Sequence, residues 1–168
     1  MTSLAPSAAS GSSPSSLAQA RRELRFGSLA DILADAESLA AGPTRTLGSW
    51  TAAQNIDHVR RLIRVSHAGA DFTVPWVFRL LGRLIKSRVL RSAFKPGMKT
   101  VPAFEPPAEI TMDEAIAAFR EEIDLASRPG AMSRPSPFLG RMTHDDWERL
   151  HCRHAEHHFG FIIPEDAP

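Results

Sequence analysis

Four short motifs of one kind divide this chain into helices: a serine or threonine is followed three residues later by an acidic residue or a glutamine. The motifs are Ser28-Asp31, Thr51-Gln54, Thr111-Glu114 and Thr143-Asp146. In such a capping box the two side chains satisfy backbone N–H groups that the first turn of a helix leaves unpaired. Apolar residues at helical spacing follow each box, and glycine or proline residues follow the first three segments. The pattern therefore predicts an all-α fold.

A further helix is predicted over residues 75–91, although no capping box precedes it. Its apolar side chains recur on one side and Arg79, Arg83 and Lys86 form a stripe opposite, so we expect the apolar side to lie on a core. Residues 95–110 are rich in proline and glycine without periodicity, which indicates a long connection that crosses the bundle or covers one end. No segment predicts a strand. The expected architecture is a four-helix-type bundle with an extra short helix and this long connection.

Length and composition indicate a single domain. With 168 residues, the chain can bury one substantial core but not two. Residues 1–20 are mostly serine and alanine with some proline and glycine, and we expect a disordered tail there because so little apolar surface cannot offset the entropy of ordering. The helical bundle domain is therefore predicted over residues 21–168.

Charge and cysteine content narrow the classes of partner and compartment. The formal net charge is +1, which gives no general reason to expect nucleic acid or a membrane, and the basic stretch 79–99 lacks interleaved stacking aromatics. No apolar run approaches a membrane span, and no secretion signal is evident at the start. Cys152 is the only cysteine, so no internal disulfide can form. We expect a reducing, cytoplasmic location, with Cys152 an inert or surface thiol.

The last predicted helix carries an unusual density of histidine. His151, His154 and His158 fall within about 60° of one another on its apolar face, because each residue turns a helix by 100°. His154 and His158 are one turn apart, which lets both rings bind one metal ion. A third ligand must come from a facing helix. His58 is the best candidate because it lies in the middle of the second predicted helix, close to the face that points into the core. His67 lies near the end of that helix and is less well placed.

The alternative is that these histidines only pack in the core or lie on the surface, each satisfied by hydrogen bonds. Three buried neutral imidazoles without a metal would leave several polar atoms in need of partners, so we favour the metal hypothesis. His151 is open to three interpretations: a donor to a metal ligand, a substrate contact or a packing residue. His144 and His157 are predicted to be surface residues.

Several segments together resemble one known family, the DinB-like metalloenzymes. The stretch from Gly48 to His58 is similar to that family's Trp-to-His segment, and the stretch from Asp145 to His158 is similar to its terminal helix. The chain is closest to a branch catalogued only as a domain of unknown function. That branch shares three further features, which are Arg22 with Phe26, the loop Lys95–Lys99 and the turn Pro137–Gly140. The resemblance covers residues 21–163.

The resemblance implies that His58, His154 and His158 bind a divalent metal, with zinc or nickel the usual ions, in a helical bundle that pairs as a homodimer. Three neutral imidazoles leave a position on the ion open, which is typical of catalytic rather than structural zinc. Relatives in that family include thiol-dependent transferases, so we expect a metal-dependent transferase or hydrolase that acts on a small molecule, with a low-molecular-weight thiol as cosubstrate. Lys95 and Lys99 are candidates for attracting an anionic cosubstrate. The alternative is a non-catalytic, metal-stabilised binding or stress-related protein.

Overall fold

The computed structural model describes residues 21–94, 97 and 100–165. Within them the chain forms five α-helices, one 3-10 helix and two short strands. The elements are α1 (Leu29–Ala40), β1 (Thr44–Thr46), α2 (Ala52–Ala68), α3 (Trp76–Arg91), the 3-10 helix (Pro102–Phe104), α4 (Met112–Ser127), α5 (His144–Phe159) and β2 (Ile162–Pro164). The tail predicted over residues 1–20 lies outside the described residues, as do Lys95 and Lys99.

All four predicted capping boxes form, and each one begins an α-helix. In each box the hydroxyl accepts a hydrogen bond from the backbone of the third helical residue, whose own side chain accepts one from the backbone of the capping residue. Helix α2 ends where the sequence predicts, at Gly69, whose φ of 95° is a conformation that favours glycine. The prediction of a mostly helical chain is therefore confirmed.

The core lies between α1, α2, α4 and α5. Helix α2 packs most extensively on α4 and then on α5, while α1 packs on α4 and α5 from the other side. The largest side chains that are fully buried there come from all four helices: Ile32, Leu39, Ile56, Ile63, Phe119, Trp147 and Phe159. Packing of this kind fixes the relative position of α2 and α5, the two helices that carry the predicted metal ligands.

The two strands correct the prediction that the chain has none. β1 and β2 pair antiparallel, with Thr44 opposite Pro164 and Thr46 opposite Ile162. Helix α5 accordingly ends at Phe159, three residues before β2 begins at Ile162. A strand of three residues contains too few alternations to be recognised by periodicity, and its partner is more than a hundred residues away.

Helix α3 forms where it is predicted, but it faces the opposite way. Its buried residues are Gly82 and Leu90, whereas Trp76, Leu84 and five other large apolar side chains are exposed. On the inner side a Cβ at Gly82 would lie 2.1 Å from the carbonyl oxygen of Phe138, so the close approach there requires glycine. Amphipathicity shows that a helix has two faces, but it does not determine which face meets the protein.

Among the described residues, no helix combines the length and the apolar character that crossing a membrane requires.

Candidate metal centre

The structure brings the three predicted ligands together at the junction of α2 and α5. One ring nitrogen from each of His58, His154 and His158 lies within 4.8 Å of the others, an arrangement that could hold a metal ion. The Nε2 atoms of His58 and His154 are 3.1 Å apart. Two nitrogens bound to one tetrahedral zinc at 2.0–2.1 Å are separated by about 3.3 Å, so this spacing suits a shared ion. Among the described residues no acidic side chain and no cysteine belongs to the cluster.

Hydrogen bonds fix the proton positions on two of the rings. His58 Nδ1 lies 2.7 Å from the carbonyl oxygen of Phe104, which can only accept, so Nδ1 donates and Nε2 keeps its lone pair for an ion. His158 Nδ1 lies 3.3 Å from Asn55 Oδ1. The Asn55 amide is itself oriented, because its Nδ2 donates to the carbonyl oxygens of Trp50 and Thr51. His154 Nδ1 is buried with no partner among the described residues.

Sequence reasoning missed both partners of the histidines. Asn55 lies three residues before His58 on the same face of α2, and that spacing is a signal which could have identified it. Phe104 acts through its backbone carbonyl, so its side chain carries no signal at all. It lies in the 3-10 helix within the long connection, and its contact with His58 places this part of the connection against α2.

Burial keeps the three rings neutral. Loss of solvent holds the pKa of His154 well below its usual value, and the neighbouring His158 and His58 lower it further. The pKa of His158 is also held well below its usual value by burial and then by His58, and burial lowers that of His58. Only a neutral imidazole can bind a metal, so these rings are ready to do so at neutral pH.

A cavity of about 530 Å³ lies directly against the cluster. All three histidines line it, and the remainder of its wall is largely apolar. The larger apolar side chains that line it are Trp50, Leu62, Val89, Phe94, Val101, Phe104, Phe138, Leu139, Leu150 and Phe161. Asn55, Thr100 and Ser136 are among the few polar residues, and none of its described lining residues is an aspartate or a glutamate. Its volume and character match sites for small organic molecules.

The other histidines have different surroundings. His157 was predicted to be a surface residue, but it is half-buried and lines the cavity; burial first, and then Arg21, lowers its pKa to about 4. His67 lies outside the cluster, with Nε2 2.6 Å from Glu122 Oε2. His144 is exposed, as predicted.

Cys152 is buried, and burial raises the pKa of its thiol to about 11, which agrees with an inert rather than a surface thiol.

His151 is completely buried and stacks on Trp147, with ring centroids 5.3 Å apart and planes 13° apart. Neither ring nitrogen has a hydrogen-bond partner among the described residues. The ring therefore makes no hydrogen bond to the three clustered histidines. Its assignment as a donor to a metal ligand stays a prediction.

We expect His151→Leu to reduce the sensitivity of the fold to acid. Burial, and to a smaller extent repulsion from His67, lowers the pKa of His151 to about 3. Below pH ~6.5 the unfolded chain binds a proton that the folded chain does not, so stability falls by up to about 1.4 kcal/mol per pH unit until the pH reaches the folded-state pKa. Leucine has similar bulk and no proton to bind. Urea unfolding in chelator at pH 7 and pH 5 should show a loss that is smaller in the variant by up to about 2 kcal/mol.

The matched control is His144→Leu, because His144 is exposed on the same helix. It should keep the pH dependence of the wild type. An identical loss of stability in His151→Leu and wild type would contradict the expectation and would mean that His151 is protonated in the folded state.

Comparison with known proteins identifies a family for this chain. Residues 18–165 match a protein family described as "Protein of unknown function (DUF1569)". No curated protein and no solved structure matches the chain. The comparison thus extends over both cluster helices and the cavity, and it attaches no activity to them.

Proposed function

We propose that this chain, which belongs to the DUF1569 family of proteins of unknown function, is a metal-dependent enzyme that activates a small thiol for transfer to an apolar substrate. One observation carries the proposal: three neutral histidines converge on the wall of a cavity of about 530 Å³, with no fourth side chain in their cluster among the described residues. Structural zinc sites use four protein ligands, whereas catalytic sites use three and leave a position for substrate.

His58, His154 and His158 would hold the ion. A divalent ion lowers the pKa of a thiol or a water that binds it, and so supplies a nucleophile near neutral pH. The chain contributes the orientation of the rings: the Phe104 carbonyl fixes His58 and the Asn55 amide fixes His158. Because of these contacts, the two rings are already oriented before an ion binds.

The cavity favours a thiol over water as the nucleophile. Metal-dependent hydrolysis commonly relies on a carboxylate as general base, and no aspartate or glutamate lines the described part of the cavity. A thiol, with a pKa of about 8.5, needs far less help to ionise than water. In the proposed transfer, the sulfur forms a bond to an electrophilic carbon of the second substrate. The leaving group departs with its electron pair, and the thiol proton passes to solvent.

We also assign the chain to the DinB-like superfamily as part of this proposal. Support comes from the placement of one histidine on the second helix and a His-x-x-x-His pair on the last helix, in a core of four packed helices. Zinc or nickel suits a site of three imidazoles. A thiol-dependent activity requires a reducing compartment, with which a chain holding one buried cysteine is compatible.

The second candidate is a non-catalytic protein in which a metal only ties α2 to α5. The apolar core between these helices already joins them, and an ion held for stability alone has no need of an adjoining cavity. An additional ligand that closes the site would favour this candidate.

Reconstitution with cobalt separates the two candidates. Metal-free protein loaded with Co²⁺ should develop the visible absorption of a low-coordinate site. Addition of 2-mercaptoethanol should then produce a sulfur-to-cobalt charge-transfer band, because an open position faces the cavity. A closed structural site would leave the spectrum unchanged. Turnover is then assayed with an apolar aromatic electrophile, by following loss of the free thiol.

Two variants control this experiment. His158→Ala should lose both the cobalt spectrum and the response to thiol, whereas His144→Ala, altered at an exposed histidine on the same helix, should behave as wild type. If thiol binds without turnover of any electrophile, the transferase assignment fails while the metal site stands.

A further inference from the structure

We propose that the outward face of α3 is the interface of a two-fold homodimer in which the two α3 helices pack antiparallel. The inference is independent of the proposed function, because it concerns a surface on the far side of α3 from the metal cluster. It begins from the unusual exposure of that face. Seven large apolar side chains on this one helix are exposed: Trp76, Val77, Phe78, Leu80, Leu81, Leu84 and Ile85.

The helix is attached to the protein by its polar side. Lys86 Nζ donates to the Arg141 carbonyl oxygen at 2.6 Å and to Asp146 Oδ2 at 2.7 Å, and the Arg83 side chain lies against Gly140. Gly82 meets the backbone of Phe138 on the same side. At 100° per residue the seven apolar positions fill the opposite half of the helix. An amphipathic helix held this way round leaves an apolar face, from Trp76 to Ile85, for a partner.

The size of the face fits an interface between two chains. Trp76 is 71% exposed, Phe78 60% and Leu84 76%. Together the seven side chains present roughly 700 Å² of apolar surface, above the ~300–600 Å² of the largest patch on a typical monomer and close to the ~800 Å² per partner of a standard interface. A two-fold axis buries this one patch against its own copy, so the face needs no second binding surface.

Residues 1–20 contain few side chains of the kind that could match this apolar face. Their only large apolar side chains are Met1, Leu4 and Leu17, among 20 residues of mostly serine and alanine. Three such side chains in a chain of small polar residues cannot match seven on the helix. A second copy of this chain presents seven large apolar side chains on its own α3.

Charge decides between the two ways of pairing the helices. Arg88 and Arg91 are the cations that fall within the outward sector, and both lie near the end of α3. In a parallel pair they would lie beside their own copies. In an antiparallel pair that crosses near Leu81, the two Arg88 residues would be about 20 Å apart, at 1.5 Å rise per residue, which exceeds the Debye length of about 8 Å. Repulsion between them therefore favours the antiparallel arrangement.

An anionic membrane is the competing occupant, since α3 carries five cations and no acidic residue. Helices that lie on such membranes direct their cations to the lipid headgroups. Here Asp146 pairs with Lys86 and the Arg83 side chain lies against Gly140, so that only Arg88 and Arg91 of the five cations fall within the outward sector. The outward face is thus mainly apolar, which suits a protein partner of the same kind.

Sedimentation of the full-length chain at about 50 μM tests the proposal, because an interface of this size gives micromolar or tighter association. Wild type should be a dimer. Leu84→Asp should be a monomer with an unchanged far-UV spectrum and metal content, since Leu84 is exposed. The matched control Ala117→Asp places the same charge at an exposed position on α4, and it should stay dimeric. A monomeric wild type, or a dimeric Leu84→Asp, would overturn the proposal.

Two further measurements complete the test. Under mild oxidation Leu81→Cys should form a disulfide-linked dimer, and Arg88→Cys should not; the native Cys152 is buried and gives no background. Cross-linking of both variants, or of neither, would overturn the antiparallel arrangement. Finally, wild type should not sediment with phosphatidylserine vesicles. Vesicle binding by a monomer that Leu84→Asp abolishes would assign the face to membranes and refute the dimer.

Discussion

Replacing His154 with alanine should remove the bound metal from the protein. The three rings lie at similar distances from one another: the His154 ring centroid is 4.9 Å from that of His58 and 4.6 Å from that of His158, and the last two are 4.3 Å apart. Without it the ion would keep two protein ligands. Loss of a residue that only orients a ligand costs about 10–100-fold in metal affinity, so loss of a ligand itself should cost at least about 100-fold. Elemental analysis of untagged protein should find about one zinc or nickel per chain in wild type and none in the variant.

The control for this experiment is His144→Ala, which removes an exposed histidine from the same helix and should retain the metal. His58→Ala should lose it, although that histidine comes from a different helix. Unchanged far-UV circular dichroism would show that each variant folds. If wild type holds no metal even after incubation with zinc, nickel and manganese, the cluster is a packing feature and the proposed enzyme fails.

Replacing Trp147 with alanine should destabilise the fold by about 3–5 kcal/mol, the usual cost of removing a large buried aromatic side chain. Trp147 is fully buried, and its Nε1 donates to the carbonyl oxygen of Arg134 at 2.8 Å. The substitution would leave a large void beside His151 and an unpaired carbonyl. Because domains of this size are stable by about 5–15 kcal/mol, the loss is a large share of the total. Urea unfolding monitored by circular dichroism measures it.

Two further variants make the interpretation specific. Trp147→Phe should cost less, because it keeps a ring on His151 and loses chiefly the hydrogen bond to Arg134, worth about 1 kcal/mol. Arg149→Ala, two residues along the same helix and exposed, should change stability by less than about 0.5 kcal/mol. A cost below about 1 kcal/mol for Trp147→Ala would mean that the core refills the space.

Local chemistry explains why so much of the helical structure could be predicted. A capping box such as Thr143 with Asp146 contains its whole signal within four residues, and the structure forms each box as the sequence indicates. The pairing of His154 with His158 depends only on the pitch of one helix. Choosing His58 over His67 required one more step, which is that a ligand in mid-helix reaches a facing helix more readily than one near an end. In the structure His58 belongs to the cluster, whereas His67 contacts Glu122.

Features that depend on contacts between distant segments could not be predicted in this way. The sequence shows that α3 is amphipathic, but the choice of inward face depends on Gly82 meeting Phe138, 56 residues later. The paired strands are too short for a periodic signal. The cavity is lined by residues of the connection, including Phe104, together with residues of α2 and α5. Neither its volume nor the half-buried position of His157 can therefore be predicted from any single segment.

The pairing of β1 with β2 has a consequence for the time at which the protein can acquire an ion in a cell. His58 and His154 are 96 residues apart in sequence, and the strands that flank them pair only once Pro164 has been made. At about 5–20 residues per second, His58 emerges from the ribosome roughly 5–20 seconds before its partners. A single imidazole cannot retain an ion during that interval. If the proposed function holds, an ion would therefore bind only after His154 and His158 have been made, and the abundance of each ion at that moment would help to decide which one the site holds.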